Sequence, residues 1–535
     1  MPATTTTFGT PAYGADGAIA APHYLASWAG ANVLRDGGSA VDAALAANFV
    51  LAVVWPHMCG PGGDLFAQVW SPADGRLLAL NASGRAGAKM TAESYRARGL
   101  AGMPQRGPLS VTVPGAVDGW FTLHARWGRL EWSRLVRDAV QVARDGFRLT
   151  PFTVAAIGSS ADLLARNGGG AAVFLPNGRP PVAGERLVEP DLARTFETLA
   201  ADGPRALYSG PLGEQVLAFL HRQGSDLAAA DFAAHSAEWV EPLRLTYRGV
   251  EVCQVPPNSQ GIVLLDILNM LDGLDLAALD TAERIHQLVE RKKVAFADRD
   301  ALVADPSCAE VDVSRMLDPA WARQQVASIQ ARRAQPAAGA VPATGDTIYL
   351  CAADRDGLVV SLIQSLYAAF GSGVHVPGTG ITLHNRGFGF TLADGHPNRL
   401  APGKRPLHTL MPGMALQAGQ PWLAFGTRGA DGQPQTGLQL LTGLLDLELE
   451  LQAAQEAPRW VHGAPGERFP REALVLESRL GPAVATELEA RGHQVLVTDA
   501  LDPVMGTAQL IQVDRERGCY IAATDPRGDG IALAF

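Results

Sequence analysis

Lysine is nearly missing from this 535-residue chain. Only Lys89, Lys292, Lys293 and Lys404 stand among its 44 basic residues. The bland reading of that bias is GC-rich coding, but its consequence is physical: a carboxylate-binding site here is built from arginine forks rather than ammonium point charges. Cysteine is sparse too. Cys59, Cys253, Cys308, Cys351 and Cys519 are odd in number, far apart and form no C-x-x-C, which excludes a disulfide framework and points to a reducing compartment. No apolar run reaches the roughly 18 residues that a membrane span needs. The opening MPATTTTFGTPAYGADG has neither the basic nor the apolar region of a signal peptide, so cytoplasm is the expected location. A net charge of −10 offers no clustered positive field, and neither nucleic acid nor membrane is an expected partner.

Catalytic signatures are missing as well. There is no G-x-x-x-x-G-K-[ST], H-E-x-x-H, G-x-S-x-G or S-x-x-K, which removes the starting signals of phosphate-loop, zincin, serine-elbow and penicillin-binding chemistry. The glycine-rich stretches GSGVHVPGTG (371–380) and GTRGADG (426–432) lack the strand and helix context of a dinucleotide site and read as turns. His57, His384 and His408 have no second ligand at metal spacing and read as core or loop residues rather than ligands.

What is present is a chain with 47% hydrophobic residues, enough for more than one core. The first 320 or so residues carry helical periodicity, as in 23–54 and 280–304, punctuated by the loops CGPGGD (59–64) and QVPPNSQG (254–261). A mobile connector is expected over about 324–346, where Ala, Pro, Gly and Gln replace the apolar pattern. At Thr347 the period changes to two. Ile348, Leu350 and Ala352 face one way and Tyr349, Cys351 and Ala353 the other, with a turn at DRDG (354–357) before LVVSLIQSL. A two-residue turn sets Thr347 opposite Gln364, whereas a one-residue bulge sets Ser365 there. Further on, QTGLQLLTGLLDLELELQAAQEAP (435–458) reads as one strong helix.

A threonine becomes a nucleophile when its own freed α-amino group serves as base, which requires cutting the peptide bond before it. A connector that delivers Gly345-Asp346 to a rigid strand meets that requirement, and so does an ordinary loop entering a strand at a β-favouring residue. Longer motifs decide between them. The segment GDTIYLCAADRDGLVVSLIQSLYAAFGSGVHVPGTGITLHNRG, together with PHMCGPGGDLF (56–66), VPGAVDGW (113–120), GIVLLDILNMLDG (261–273), KKVAFADRDALVADP (292–306), KRPLHTLMP (404–412) and DPRGDGIALAF (525–535), resembles the γ-glutamyltranspeptidase family.

That resemblance implies an α+β fold: a four-layer αββα sandwich of the N-terminal-nucleophile hydrolase type. It implies cleavage at Asp346-Thr347 into a large chain of 1–346 and a small chain of 347–535, which remain one intertwined unit. Thr347 is then nucleophile and, through its α-amino group, base, and since both belong to one residue no metal or organic cofactor is implied. Ser365 hydrogen-bonds it, and Gly429 and Ala430 match the paired glycines of the oxyanion hole. Alanine keeps the N–H that this role needs, provided the backbone allows it.

The substrate pocket departs from the family pattern. Where relatives acting on glutathione hold the γ-glutamyl α-amino group with an amide and an aspartate, HNRGFGF (384–390) places Arg386 and Gly389; the serine pair becomes His408-Thr409. Ser83 stands at the family's arginine position, with Arg85 two residues on. An ammonium facing Arg386 without its carboxylate costs several kcal/mol, on the order known for unpaired buried charges. Arg386 with Arg85, and Arg428 as a further candidate, instead suit a carboxylate, with Tyr367 counted in the same substrate-binding set. The resemblance therefore runs to the branch of oxamate amidohydrolase and cephalosporin acylases. The expected reaction is hydrolysis of a dicarboxylic monoamide or glutaryl-type amide through an acyl-Thr347 intermediate. A conventional γ-glutamyltransferase or glutathione hydrolase, and a catalytically silent relative with a binding role, are the alternatives. The expected partners are a small-molecule amide and the two chains of one precursor, with a homodimer left open.

Overall fold

The segment after Thr347 forms strand Asp346–Asp354, and its alternation sorts side chains between two different cores. Ile348, Leu350 and Ala352 pack with the first helices of the chain, while Tyr349, Cys351 and Ala353 pack into an inter-sheet layer with Phe66, Met414 and Ile511. The computed structural model describes residues 8–166, 168–310, 312–330, 332–336, 345–464 and 468–535.

One seven-stranded sheet runs in the order Ile531–Ala534, Gly17–Ala21, Asp346–Asp354, Val359–Tyr367, Asp64–Ser71, Arg76–Ala82, Glu238–Val240. The second, also seven-stranded, runs Ala12–Gly14, Cys519–Thr524, Ala508–Asp514, Gln420–Thr427, Gly413–Gln417, Val250–Gln254, Leu243–Tyr247. Helices Tyr24–Arg35 and Ala40–Val54 cover the first sheet. Helices Gly261–Asn269, Thr281–Leu302 and Gly432–Leu445 cover the second. The result is an αββα sandwich with an apolar core in each interlayer space. Both sheets interleave strands from before and after Thr347, so the two segments share their backbone hydrogen-bond ladders.

The structure selects the bulged alternative for the hairpin and corrects two expectations. The hairpin turn holds three residues, because Gly357 takes the left-handed position (φ 85) and the Asp354 carboxylate accepts the N–H groups of Asp356 and Leu358. The register therefore moves by one, with Ile348 opposite Gln364 and an irregularity between Asp346 and Ile348. The expected single helix over 435–458 is two, Gly432–Leu445 and Leu451–Glu456. Between them Glu448 is left-handed (φ 50), and the Asp446 carboxylate leaves the helix axis to accept from Tyr247 Oη and Arg248 Nε. The expected connector begins late, since helix Pro319–Ser328 takes its first residues; its 337–344 portion lies outside the described residues. No described helix is long and apolar enough to cross a membrane.

Candidate active site

Thr347 lies at the mouth of the hairpin, 1% exposed. Its hydroxyl donates to Ser365 Oγ at 3.2 Å, so the shifted register brings the two hydroxyls together. Ser365 is itself held, for Tyr367 N–H donates to its Oγ at 2.7 Å. Tyr367 itself adopts φ 79, a left-handed conformation that costs a tyrosine on the order of 1 kcal/mol. Replacing Ser365 by alanine should slow both chain cleavage and amide turnover by about 10- to 100-fold, the weight of one positioning hydrogen bond to a reacting group. Band conversion on a denaturing gel and ammonia release measure the two rates.

The second wall is the loop after strand Gln420–Thr427. Gly429 (φ 118) and Ala430 (φ 45) both have positive φ, and among the described residues neither N–H has an acceptor. Their carbonyls are occupied: Gly432 N–H donates to Gly429 O and Gln433 N–H to Ala430 O. Gln260 then ties the loop down by donating to both Ala430 O and Thr409 O at 3.0 Å. Buried Arg299 holds Gln260 Oε1 at 2.8 Å and Asp431 Oδ1 at 2.6 Å. Two fixed N–H groups with no acceptor among the described residues can hold a developing oxyanion. Gly345 lies directly on this loop, where a Cβ would fall 2.2 Å from Ala430 Cβ, so only glycine fits two residues before Thr347.

The third wall is Arg386, fully buried on the short turn Arg386–Gly389. Its Nη1 donates to Thr409 Oγ1 at 3.1 Å, its Nη2 to Ser365 Oγ at 3.4 Å, and its guanidinium lies 4.0 Å over the Tyr367 ring. Among the side chains described, no carboxylate lies within ion-pairing distance of it, and its Nε has no partner. Burial lowers its pKa to about 10, opposed by Tyr367 and Asp64. At Gly389 a Cβ would meet Leu407 O at 2.7 Å, so an aspartate does not fit there.

Behind these walls Asp64 and His408 form a buried pair. Leu410 N–H donates to His408 Nδ1, so Nε2 carries the proton and donates to Asp64 Oδ2 at 3.1 Å, leaving neither ring nitrogen for substrate. Asp64 also accepts from Gly84 N and Gly115 N. Burial works against its charge, yet His384, His408 and Arg386 together hold its carboxyl well below the usual range. Arg85 is placed elsewhere: Glu238 and Asp305 hold its guanidinium at 2.9 and 3.2 Å, so the structure does not bring it to Arg386. Ser83 is buried in hydrogen bonds with Asn81 and Asn258. Arg428 faces a different cavity, with its guanidinium 5.0 Å over Phe152. Gln260, Arg299 and Asp64 were not singled out from the sequence as site residues, although each falls inside or beside one of the quoted motifs.

Burial holds His23, His57 and His408 neutral, with pKa lowered from 6.5 to about 3 in each. The unfolded chain takes up these protons below pH 6.5 while the folded chain does not until near 3, so stability is full above 6.5 and falls as pH drops through that window. Each such histidine contributes a slope of about 1.4 kcal/mol per pH unit. Thermal melts from pH 7.5 to 4.5 should show a steep decline below pH 6.

For a metal, His286, Glu290 and His493 are the one group among the described residues whose ligand atoms gather within 4.8 Å. Lys293 already donates to Glu290 at 2.7 Å and His286 meets His493 at 2.8 Å, so an ammonium and an internal hydrogen bond close that trio to a cation.

Comparison with known proteins places this geometry. The family model described as gamma-glutamyltranspeptidase matches residues 26–535. A glutathione hydrolase-like YwrD proenzyme of Bacillus subtilis is 40% identical over 97% of this chain and 98% of its own length. An oxamate amidohydrolase proenzyme of Klebsiella pneumoniae is 38% identical over the same shares of the two chains. Among solved structures, a cephalosporin acylase from Bacillus halodurans superposes with a TM-score of 0.92 at 35% identity, over 99% of this chain and 98% of that one.

Proposed function

The chain belongs to the γ-glutamyltranspeptidase family, and on that premise we propose that it is a self-cleaving threonine amidohydrolase acting on an amide whose small acyl group ends in a carboxylate. Self-processing and action on amides accord with the proenzyme and amidohydrolase names of its relatives. The observation that carries the narrower reading is Arg386: a buried guanidinium with no carboxylate partner among the described side chains, which shares Ser365 with the Thr347 hydroxyl. A substrate carboxylate neutralises that charge through a forked pair of hydrogen bonds, whereas a γ-glutamyl ammonium meets repulsion and finds no aspartate at Gly389.

In the unbroken chain Thr347 Oγ attacks the Asp346 carbonyl. The Oγ proton passes to the Thr347 nitrogen as the C–N bond breaks, which gives an ester and a free Thr347 amine, and water then hydrolyses the ester to release the Asp346 carboxyl and restore the Thr347 hydroxyl. In turnover that amine takes the Oγ proton as Oγ bonds to the substrate carbonyl carbon. The N–H groups of Gly429 and Ala430 hold the oxyanion, the amine passes its proton to the leaving nitrogen as the C–N bond breaks, and water releases the dicarboxylic acid. The test is intact mass of the purified protein together with ammonia release from oxamate, succinamate and glutaramate. Two chains with turnover support the reading, and a chain that stays whole or ignores every monoamide overturns it.

A further inference from the structure

Helix Thr281–Leu302 buries two cations beneath the loop that carries Gly429 and Ala430. Arg299 reaches that loop directly, with Nη1 on Asp431 Oδ1 at 2.6 Å. Lys292 stands seven residues earlier, on the same helix face, and reaches the loop only through other residues. Both cations lie over one aromatic ring: Lys292 Nζ is 4.0 Å and Arg299 Cζ 4.3 Å from the centre of Phe296. The two differ in one respect that matters here. A guanidinium stays charged at every accessible pH, whereas a buried ammonium readily gives up its proton.

Among the described residues Lys292 Nζ has one hydrogen-bond partner, His462 Nδ1 at 3.2 Å. His462 also lines a cavity of about 380 Å³, which gives the buried amine a route for proton exchange with water. From His462 the contacts run to the oxyanion loop. Its N–H donates to Gln435 Oε1 at 2.9 Å, and Gln435 Nε2 donates to His462 O at 3.1 Å and to Asp431 O at 2.8 Å. Asp431 follows Ala430, so the residue after the second N–H is held from two sides, by Gln435 at its carbonyl and by Arg299 at its carboxylate. The charges that face Lys292 are Asp431 on the loop and Arg299, Lys293 and Asp300 on its own helix, with His462 on strand Trp460–His462. Burial, opposed by Asp431, lowers the amine to a pKa of about 7. Burial and then the two lysines keep His462 neutral, so its Nδ1 remains an acceptor.

We propose that Lys292 is a positioning residue for the oxyanion loop: its ammonium, acting through His462 and Gln435, fixes Asp431 and with it the Ala430 N–H, and loss of its proton loosens them. The inference rests on the reading of Gly429 and Ala430 as the oxyanion hole of an amide hydrolase. The ammonium is present below pH 7 and lost as pH rises through it, so its support of kcat is lost in the same direction. Lys292→Met keeps the stem and removes the amine. It should lower kcat for a dicarboxylic monoamide about tenfold at pH 6, the weight of one charge-assisted hydrogen bond, with KM nearly unchanged because Arg386 is untouched. By pH 9 the two rates should agree within about twofold. The ratio of native to variant kcat is the quantity to follow, since the Thr347 amine titrates in both proteins and cancels. A ratio that stays constant from pH 6 to 9, as a merely structural loss would give, overturns the proposal, and so does a ratio of one throughout. If neither protein turns over a monoamide, the acyl reading fails and hydrogen exchange decides the positioning role alone. The amides of Gly432 and Gln433 donate to Gly429 O and Ala430 O and report the loop. After correction for intrinsic rates, the native 428–436 segment should exchange about tenfold faster at pH 9 than at pH 6, and Lys292→Met should exchange fast at both. Native exchange that does not change between these pH values overturns the proposal, whether or not the variant folds.

Discussion

Thr347→Ala leaves the protein as one unbroken chain and abolishes amide hydrolysis, by at least about 10,000-fold where the assay allows that range. Both losses follow from one atom, because in the proposed mechanism the hydroxyl that donates to Ser365 is the nucleophile toward the Asp346 carbonyl and later toward substrate. Thr347→Ser keeps that atom, so it should process slowly and retain part of the activity. Denaturing gels read the first loss and ammonia release the second. An alanine variant that still yields two chains would show that cleavage has another agent, and one that still hydrolyses monoamides would remove Thr347 from the chemistry. The fold should tolerate the change, since removal of the Thr347 hydroxyl leaves Ser365 still bonded to Tyr367 N–H.

Arg386→Gln should lower kcat/KM for dicarboxylic monoamides by about 100- to 1,000-fold, the usual cost of removing one partner of a buried, hydrogen-bonded charge pair. The sign of its effect on stability is opposite. In the free protein the guanidinium is buried without an ion-pair partner among the described side chains, so its neutral replacement should leave the melting temperature unchanged or raise it. Loss of activity with retained or increased stability is the signature of a group kept for substrate. A variant that melts earlier and turns over normally would make Arg386 a structural residue. A gain of activity on a γ-glutamyl amide in the same variant would mark it as the element that excludes the ammonium.

Much of the fold was legible because local pattern and global packing agree here. The two-period alternation of Ile348 to Ala353 alone separates a helix-facing from a sheet-facing set, and both sets lie in those cores. The helical segments 24–54 and 281–302 were legible for the same reason, although the first is broken at residues 36–39. The misread helix over 435–458 has leucine periodicity throughout. It breaks because Asp446 is drawn to Tyr247 and Arg248, which lie some 200 residues earlier in the chain and outside any local window.

The candidate site divides in the same way. The sequence by itself determined the family resemblance, which implies Thr347, Ser365 and the Gly429-Ala430 loop as the reacting residues, and it determined that Arg386 and Gly389 depart from the family pattern. It could not rank the arginines, since Arg85, Arg386 and Arg428 are chemically identical in one dimension. Only the tertiary structure decided that Glu238 and Asp305 hold Arg85, that Arg428 faces a separate cavity with His57, and that Arg386 is buried beside the Thr347 hydroxyl. The physical reason is that a guanidinium's role depends on which carboxylates lie within a few ångströms of it and how much water remains, and long-range packing sets both.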